Sequence, residues 1–215
     1  MKVVEIFNSI EGEGVRAGLP TTFIRLYGCN LECTYCDTRY ACNDEGFTNI
    51  SVAEIVNKVV EIGCQSVTIT GGEPLIHDGI CSLIDWLVEI GCCVNIETNG
   101  TMQLPEKYRY TNNVFVTMDY KCPTSGMDDK MCMNTINTLR RCDVLKFVVG
   151  NENDLNTMME VVDAMECEPT IYVSPIFGRI EPAEIVEYLQ KHKLYNIRLQ
   201  LQLHKIVWSP DKRGV

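Results

Sequence analysis

SVAEIVNKVVEIGCQSVTITGGEP, residues 51–74, reads as a helix, then a strand, then a glycine turn. Ser51 with Glu54 three residues on forms a capping box, and Gly63 stands where helices commonly stop. SVTIT (66–70) is a short apolar run of the kind buried in a parallel sheet, and GGEP (71–74) follows as its loop.

The same alternation extends in both directions. TTFIRLYG (21–28) predicts a strand before this unit, and DGICSLIDWLVEIG (78–91) a helix after it. CVNIET (93–98), VFVTMD (114–119), VLKFVV (144–149) and TIYVSP (170–175) predict further strands, with helices over 128–139, 154–165 and 182–192. Pro182 suits a first helical turn, and the period-two pattern of NIRLQLQLHK (196–205) predicts a last strand with one wetter face. Strands separated by helices about six times make a parallel sheet with right-handed crossovers. The expected fold is α/β, a partial, abbreviated (β/α)6 TIM-like barrel with mostly parallel strands, as a single domain over residues 1–215. Ligands in such folds gather where the βα loops converge, at the carboxyl ends of the strands. CNLECTYCDT (29–38), GGEP, ETNGT (97–101) and DYKCPTSG (119–126) all fall there.

Nineteen Lys and Arg against 29 Asp and Glu give a net charge of −10, with 46% apolar residues. That balance argues against a phosphate-neutralising surface and so against nucleic acid as a partner. No stretch approaches the roughly 18 apolar residues of a membrane span, and MKVVEIFNSIEGEGV (1–15) is not a secretory leader, so a cytoplasmic location and no membrane partner are expected. Twelve cysteines would suggest disulfides in a secreted chain, but here nine are scattered where a reduced thiol packs as a small hydrophobe.

The other three, Cys29, Cys33 and Cys36, form a C-x-x-x-C-x-x-C loop able to wrap one soft or borderline centre. Structural zinc wants four closed ligands and would have to recruit Cys42, making the chain a zinc-binding interaction module. A 4Fe-4S cluster would instead leave one iron open to a substrate or cofactor. At the end of the third strand, Glu97 and Asn99 are placed to hydrogen-bond such a ligand, although Asn99-Gly100 also reads as a plain turn.

With Tyr35 before the last cysteine and Gly71-Gly72-Glu73-Pro74 one strand later, the chain resembles the radical S-adenosylmethionine (SAM) enzymes. The resemblance implies a 4Fe-4S cluster on Cys29, Cys33 and Cys36, with SAM chelating the open iron and yielding a 5′-deoxyadenosyl radical on reduction. It places Tyr35, Gly72, Glu73, Glu97, Asn99, Lys121, Ser125 and Ser174 at the cofactor, Gly72 and Glu73 beside the methionine amino group. Within that group EIFNSIEGEGVRAGLPTTFIRLYGCNLECTYCDT (5–38), DYKCPTSG, LKFVV (145–149) and LQLHK (201–205) are similar to the 7-carboxy-7-deazaguanine synthase family. That family contracts the ring of 6-carboxy-5,6,7,8-tetrahydropterin with loss of ammonia, on the way to queuosine. A glycyl-radical activating enzyme is the alternative, with the same cluster but no need of SIEGEG (9–14) or Thr38.

The resemblance implies substrate contacts at Ile10, Glu11, Gly12, Arg25, Thr70, His204 and Pro210, with His204 also moving a proton, and Mg²⁺ on Thr38. Residue chemistry fits these roles. Glu11 can accept aminopyrimidinone N–H groups, the Arg25 guanidinium forks onto a carboxylate, and a threonine oxygen suits a hard cation. Bland alternatives stand beside them: a surface salt bridge for Arg25, a loop turn for Asp37-Thr38, a structural hydrogen bond for His204. The family also implies a homodimer and a flavodoxin- or ferredoxin-type electron donor. DKRGV (211–215) departs from relatives that end near Pro210, and Val215 receives no role.

Overall fold

The computed structural model describes residues 1–42, 46–210 and 212–215. One sheet of nine strands runs in the order β3-β1-β2-β4-β5-β6-β7-β8-β9. The hairpin of β1 (Lys2–Ile10) and β2 (Pro20–Leu26) is antiparallel, and β3 (Thr48–Asn49) adds antiparallel to β1. From β2 onward every pairing is parallel, through β4 (Ser66–Gly71), β5 (Cys93–Thr98), β6 (Val114–Tyr120), β7 (Val144–Val149), β8 (Thr170–Pro175) and β9 (Ile197–Leu199). The edges β3 and β9 do not pair with each other, so the barrel is partial, as expected from the βα alternation. No helix among the described residues is long and apolar enough to cross a membrane.

The helices α1 (Val52–Ile62), α2 (Ile80–Glu89), α4 (Glu152–Ala164) and α5 (Pro182–Lys191) match their expected positions, α3 (Met133–Ile136) falls inside the helix expected over 128–139, and α6 (Leu203–Val207) is a short addition. Ser51 caps α1 reciprocally with Glu54, and Gly63 ends it in the left-handed region at φ 77°. Two apolar clusters lie between the helices and the sheet. Val67, Ile69, Val94 and Ile96 pack with α1 and α2, and Leu145, Phe147, Val149, Ile171 and Val173 with α4 and α5.

Two expectations need correction, and one strand is new. The helix over 128–139 is only a 3₁₀ turn at Asp128–Lys130 and the four-residue α3, because Met131 is extended and Asn and Thr side chains compete with helical hydrogen bonding. The last strand stops at Leu199, since Gln200 turns its amide to Gly14 and Leu203 N–H bonds to Gly12 C=O, so LQLHK opens a helix rather than ending a strand. The SIEGEG segment begins as the end of β1, a strand the sequence reading did not assign.

Period two explains how the sheet serves both core and site. The residues that alternate with the helix-facing ones are polar: Thr68 and Thr70 on β4, Asn95 and Glu97 on β5, Thr117 and Asp119 on β6, Lys146 on β7. Register sets Arg25 beside Thr70, Glu97 beside Thr117 and Asp119 beside Lys146. The inner face is therefore a polar floor rather than a packed apolar core.

Candidate active site

That floor opens at the strands' carboxyl ends into a cavity of about 710 Å³. Cys29, Cys33 and Cys36 all line it. Their loop is anchored by Gly28 N–H to Ala41 C=O (2.8 Å), Thr34 N–H to Ser125 C=O (3.0 Å) and the Arg39 guanidinium to Cys33 C=O (3.1 Å). Cys29 Sγ accepts from Leu31 N–H at 3.4 Å and from Asn99 Nδ2 at 3.7 Å. Burial pushes the Cys33 and Cys36 thiols up. Cys42 also lines the cavity, hydrogen-bonded to the Cys29 thiol and pushed up to about 11 by burial. Among the described residues no three His, Cys, Asp or Glu side chains converge on one ion-sized point.

The GGEP turn lies directly on this loop. A Cβ at Gly72 would come within 2.0 Å of Gly28 C=O and 2.9 Å of Cys29 Cβ, so only glycine permits the approach. Gly71 has φ 143°, and a Cβ there would strike the Leu26 backbone at 2.1 Å. Glu73 is fully buried behind the turn. Its carboxylate accepts from Leu75 N–H (3.0 Å), the Thr98 hydroxyl (2.8 Å) and Asn99 N–H (2.7 Å). Gly72 and Asn99 line the cavity while Glu73 does not, so the Glu73 side chain shapes the wall from behind.

The end of β1 and the residues after it reach the same cavity. Ile10, Glu11 and Gly12 line the cavity, and Glu11 is 3% exposed with Oε2 accepting from the Thr68 hydroxyl at 2.6 Å. Burial, then the nearby Glu97 carboxylate, push Glu11 up to about 7 against that hydrogen bond. Glu97 is also raised by burial and accepts from the Thr70 hydroxyl at 2.7 Å. Arg25 lines the wall rather than facing bulk water, its Nε donating to Glu5 at 2.7 Å, and Glu5 also accepts from the Tyr40 hydroxyl at 3.0 Å. His204, on α6 rather than on a strand, packs its imidazole over Gly12 so closely that a Cβ there would lie 2.4 Å from Nδ1. Burial holds its pKa below the ordinary histidine value. Pro210 lines the same mouth.

Thr38 lines the rim, its hydroxyl donating to Asp37 Oδ1 at 2.9 Å, while Lys205 Nζ donates to Asp37 Oδ2 at 2.9 Å. Lys121 lines the cavity and pairs with Asp119 at 3.1 Å. Ser125 and Ser174 do not line it: Ser125 Oγ accepts Met127 N–H at 3.0 Å inside its own turn, and Ser174 Oγ is buried without a partner among the described residues.

The sequence reading missed the charged array on the floor. Lys146 pairs with Glu13 and stands 3.6 Å from Asp119, and Gln202 donates to Glu13 at 2.7 Å. Burial alone would lower the Lys146 pKa, but Glu13 and Asp119 outweigh it and hold the ammonium well above its ordinary value. A lysine inside the apolar run VLKFVV is the signal, since a buried ammonium needs counter-charges. Asp119 Oδ1 and the Tyr35 hydroxyl are buried in the cavity wall with no protein partner among the described residues, as a wall shaped for a polar ligand would leave them.

Residues 23–149 match the model of the Radical SAM superfamily. The 7-carboxy-7-deazaguanine synthase of Clostridium acetobutylicum is 44% identical over 100% of this chain and 99% of its own. That of Thermoplasma acidophilum is 34% identical over the whole of both chains. This chain belongs to the 7-carboxy-7-deazaguanine synthase family of radical SAM enzymes. The crystal structure of QueE from Escherichia coli superposes with a TM-score of 0.75 at 26% identity, covering 94% of each chain. Streptococcus suis SuiB bound to S-adenosylmethionine shares the fold at a TM-score of 0.58 and 13% identity, covering 83% of this chain and 46% of its own.

The superfamily works with a 4Fe-4S cluster and SAM. Three thiols on one cavity wall, two N–H donors on Cys29, a side-chain-free turn against the loop and two orphaned polar atoms fit that pair of groups.

Proposed function

We propose that this chain is a 7-carboxy-7-deazaguanine synthase, converting 6-carboxy-5,6,7,8-tetrahydropterin to 7-carboxy-7-deazaguanine with loss of ammonia. The observation that carries this reading is end-to-end likeness to such synthases at 44% identity, in a chain where Glu11, Arg25 and the three loop cysteines line one cavity.

When bound, the cluster and SAM supply the one-electron chemistry that removes a substrate hydrogen. Cys29, Cys33 and Cys36 would hold the cluster, with Cys42 outside it. Gly72 would offer backbone to the methionine end of SAM, and Tyr35, Glu97, Asn99 and Lys121 polar side chains to the rest. Glu73, Ser125 and Ser174 would act from behind the wall. Glu11 Oε1 accepts pterin N–H groups while Oε2 stays with Thr68, and Ile10 and Gly12 add backbone contacts. Arg25, steadied by Glu5, offers its guanidinium to the substrate carboxylate, with Thr70 beside it in register. The Thr38 oxygen would hold Mg²⁺, which would supply Lewis-acid chemistry toward the substrate oxygens. His204, held neutral by burial, takes or returns a proton at its imidazole, and α6 with Pro210 limits water over the bound pterin.

Residues 1–215 act as one domain in this reading, as a cytoplasmic homodimer reduced by a flavodoxin- or ferredoxin-type donor. The test is an anaerobic assay with reductant, SAM, Mg²⁺ and carboxytetrahydropterin. Formation of the deazaguanine chromophore is expected, and SAM cleavage without that product would overturn the assignment.

A further inference from the structure

The contact between α6 and the cluster loop has no place in the roles above. Lys205 Nζ lies 2.9 Å from Asp37 Oδ2, and Asp37 Oδ1 lies 2.9 Å from the Thr38 hydroxyl. A threonine hydroxyl has one proton and two lone pairs, and it serves a hard cation only when the proton is directed elsewhere. Asp37 takes that proton. Its own side chain is 57% exposed, so without a second partner it would turn away into solvent. Lys205 is that partner: its side chain is 12% exposed, and its helix is fixed by Leu203 N–H on Gly12 C=O at 3.1 Å.

We propose that Lys205 is a positioning residue which, through Asp37, aims the Thr38 oxygen at the divalent cation and ties the cation side of the cavity to the His204 side. The inference rests on the reading of Thr38 as the cation ligand. One five-residue helix then carries both settings: His204 over Gly12 and, one residue on, Lys205 on Asp37. A shift of α6 moves both together. An ordinary exposed ion pair would contribute only a little stability and nothing to cation affinity.

The experiment uses the cluster-loaded chain with SAM and carboxytetrahydropterin, and reads Mn²⁺ affinity from the electron paramagnetic resonance of free Mn²⁺, independently of turnover. Lys205→Met should weaken Mn²⁺ binding by about 10- to 100-fold, as loss of an outer-shell partner does, with iron and sulfide content unchanged. Lys205→Arg should restore most of it, and Asp37→Asn should match Lys205→Met. Should Lys205→Met prove poorly folded, Lys205→Gln replaces it. Wild-type Mn²⁺ affinity in a folded Lys205→Met chain, alongside weakened binding in Thr38→Val, overturns the role of Lys205 alone. Unchanged affinity in Thr38→Val overturns the ligand reading and this inference with it.

Discussion

The Asn99 backbone N–H donates to the Glu73 carboxylate at 2.7 Å, joining the turn after β4 to the end of β5. With Leu75 N–H and the Thr98 hydroxyl on the same carboxylate, Glu73 staples two loops that both face the cluster loop. Glu73→Ala leaves three buried donors unpaired and should cost about 3 kcal/mol of stability in denaturant titration. Glu73→Gln should cost less. If Glu73→Ala keeps its stability and loses only SAM affinity, the carboxylate touches the cofactor directly and the staple is wrong.

Cys42 and the three loop cysteines should separate on iron analysis. Cys29→Ala, Cys33→Ala and Cys36→Ala should each lose the cluster, while Cys42→Ser should retain iron and sulfide at the wild-type ratio. Equal loss in Cys42→Ser would make Cys42 a ligand, leaving no iron open for SAM.

Glu11 predicts a proton linkage. Its pKa is raised to about 7, so the stability it lends is fully present below its unfolded value and is lost as pH rises through 7. A ligand presenting N–H groups favours the ionised form and lowers that pKa. Pterin binding should therefore release roughly 0.9 proton at pH 6, 0.5 at pH 7 and 0.1 at pH 8, measured by calorimetry in buffers of different ionisation enthalpy. Glu11→Gln should abolish the release. Release that does not fall with pH in the wild type would assign it to another group.

Gly12→Ala tests the seat of His204. The new Cβ would meet Nδ1 at 2.4 Å, so the imidazole must move. A displacement near 1 Å should lower kcat by about 100-fold with iron content and SAM affinity intact. Full activity would show that His204 need not stay where it is.

The cysteine loop, the GGEP turn and the strand–helix alternation were legible because each is local: spacing, glycine and periodicity sit within a dozen residues. The floor was not. Glu13, Asp119 and Lys146 meet only through β6–β7 register and the loop after β1, and Lys205 reaches Asp37 across 168 positions. The period-two pattern of 196–205 misled for the same reason: Gln200 is drawn to Gly14, a partner 186 residues away that no local pattern contains. Glu73 follows the second expected strand in sequence, but which way its carboxylate turns depends on the Thr98 and Asn99 donors at the end of the next strand.

The Gln200 amide bonds both the N–H and the C=O of Gly14, at 2.7 and 3.3 Å, and so joins the segment after β9 to the loop after β1. The loop after β1 and the segment after β9 share no strand pairing, so this one side chain does there what a ladder does elsewhere in the sheet.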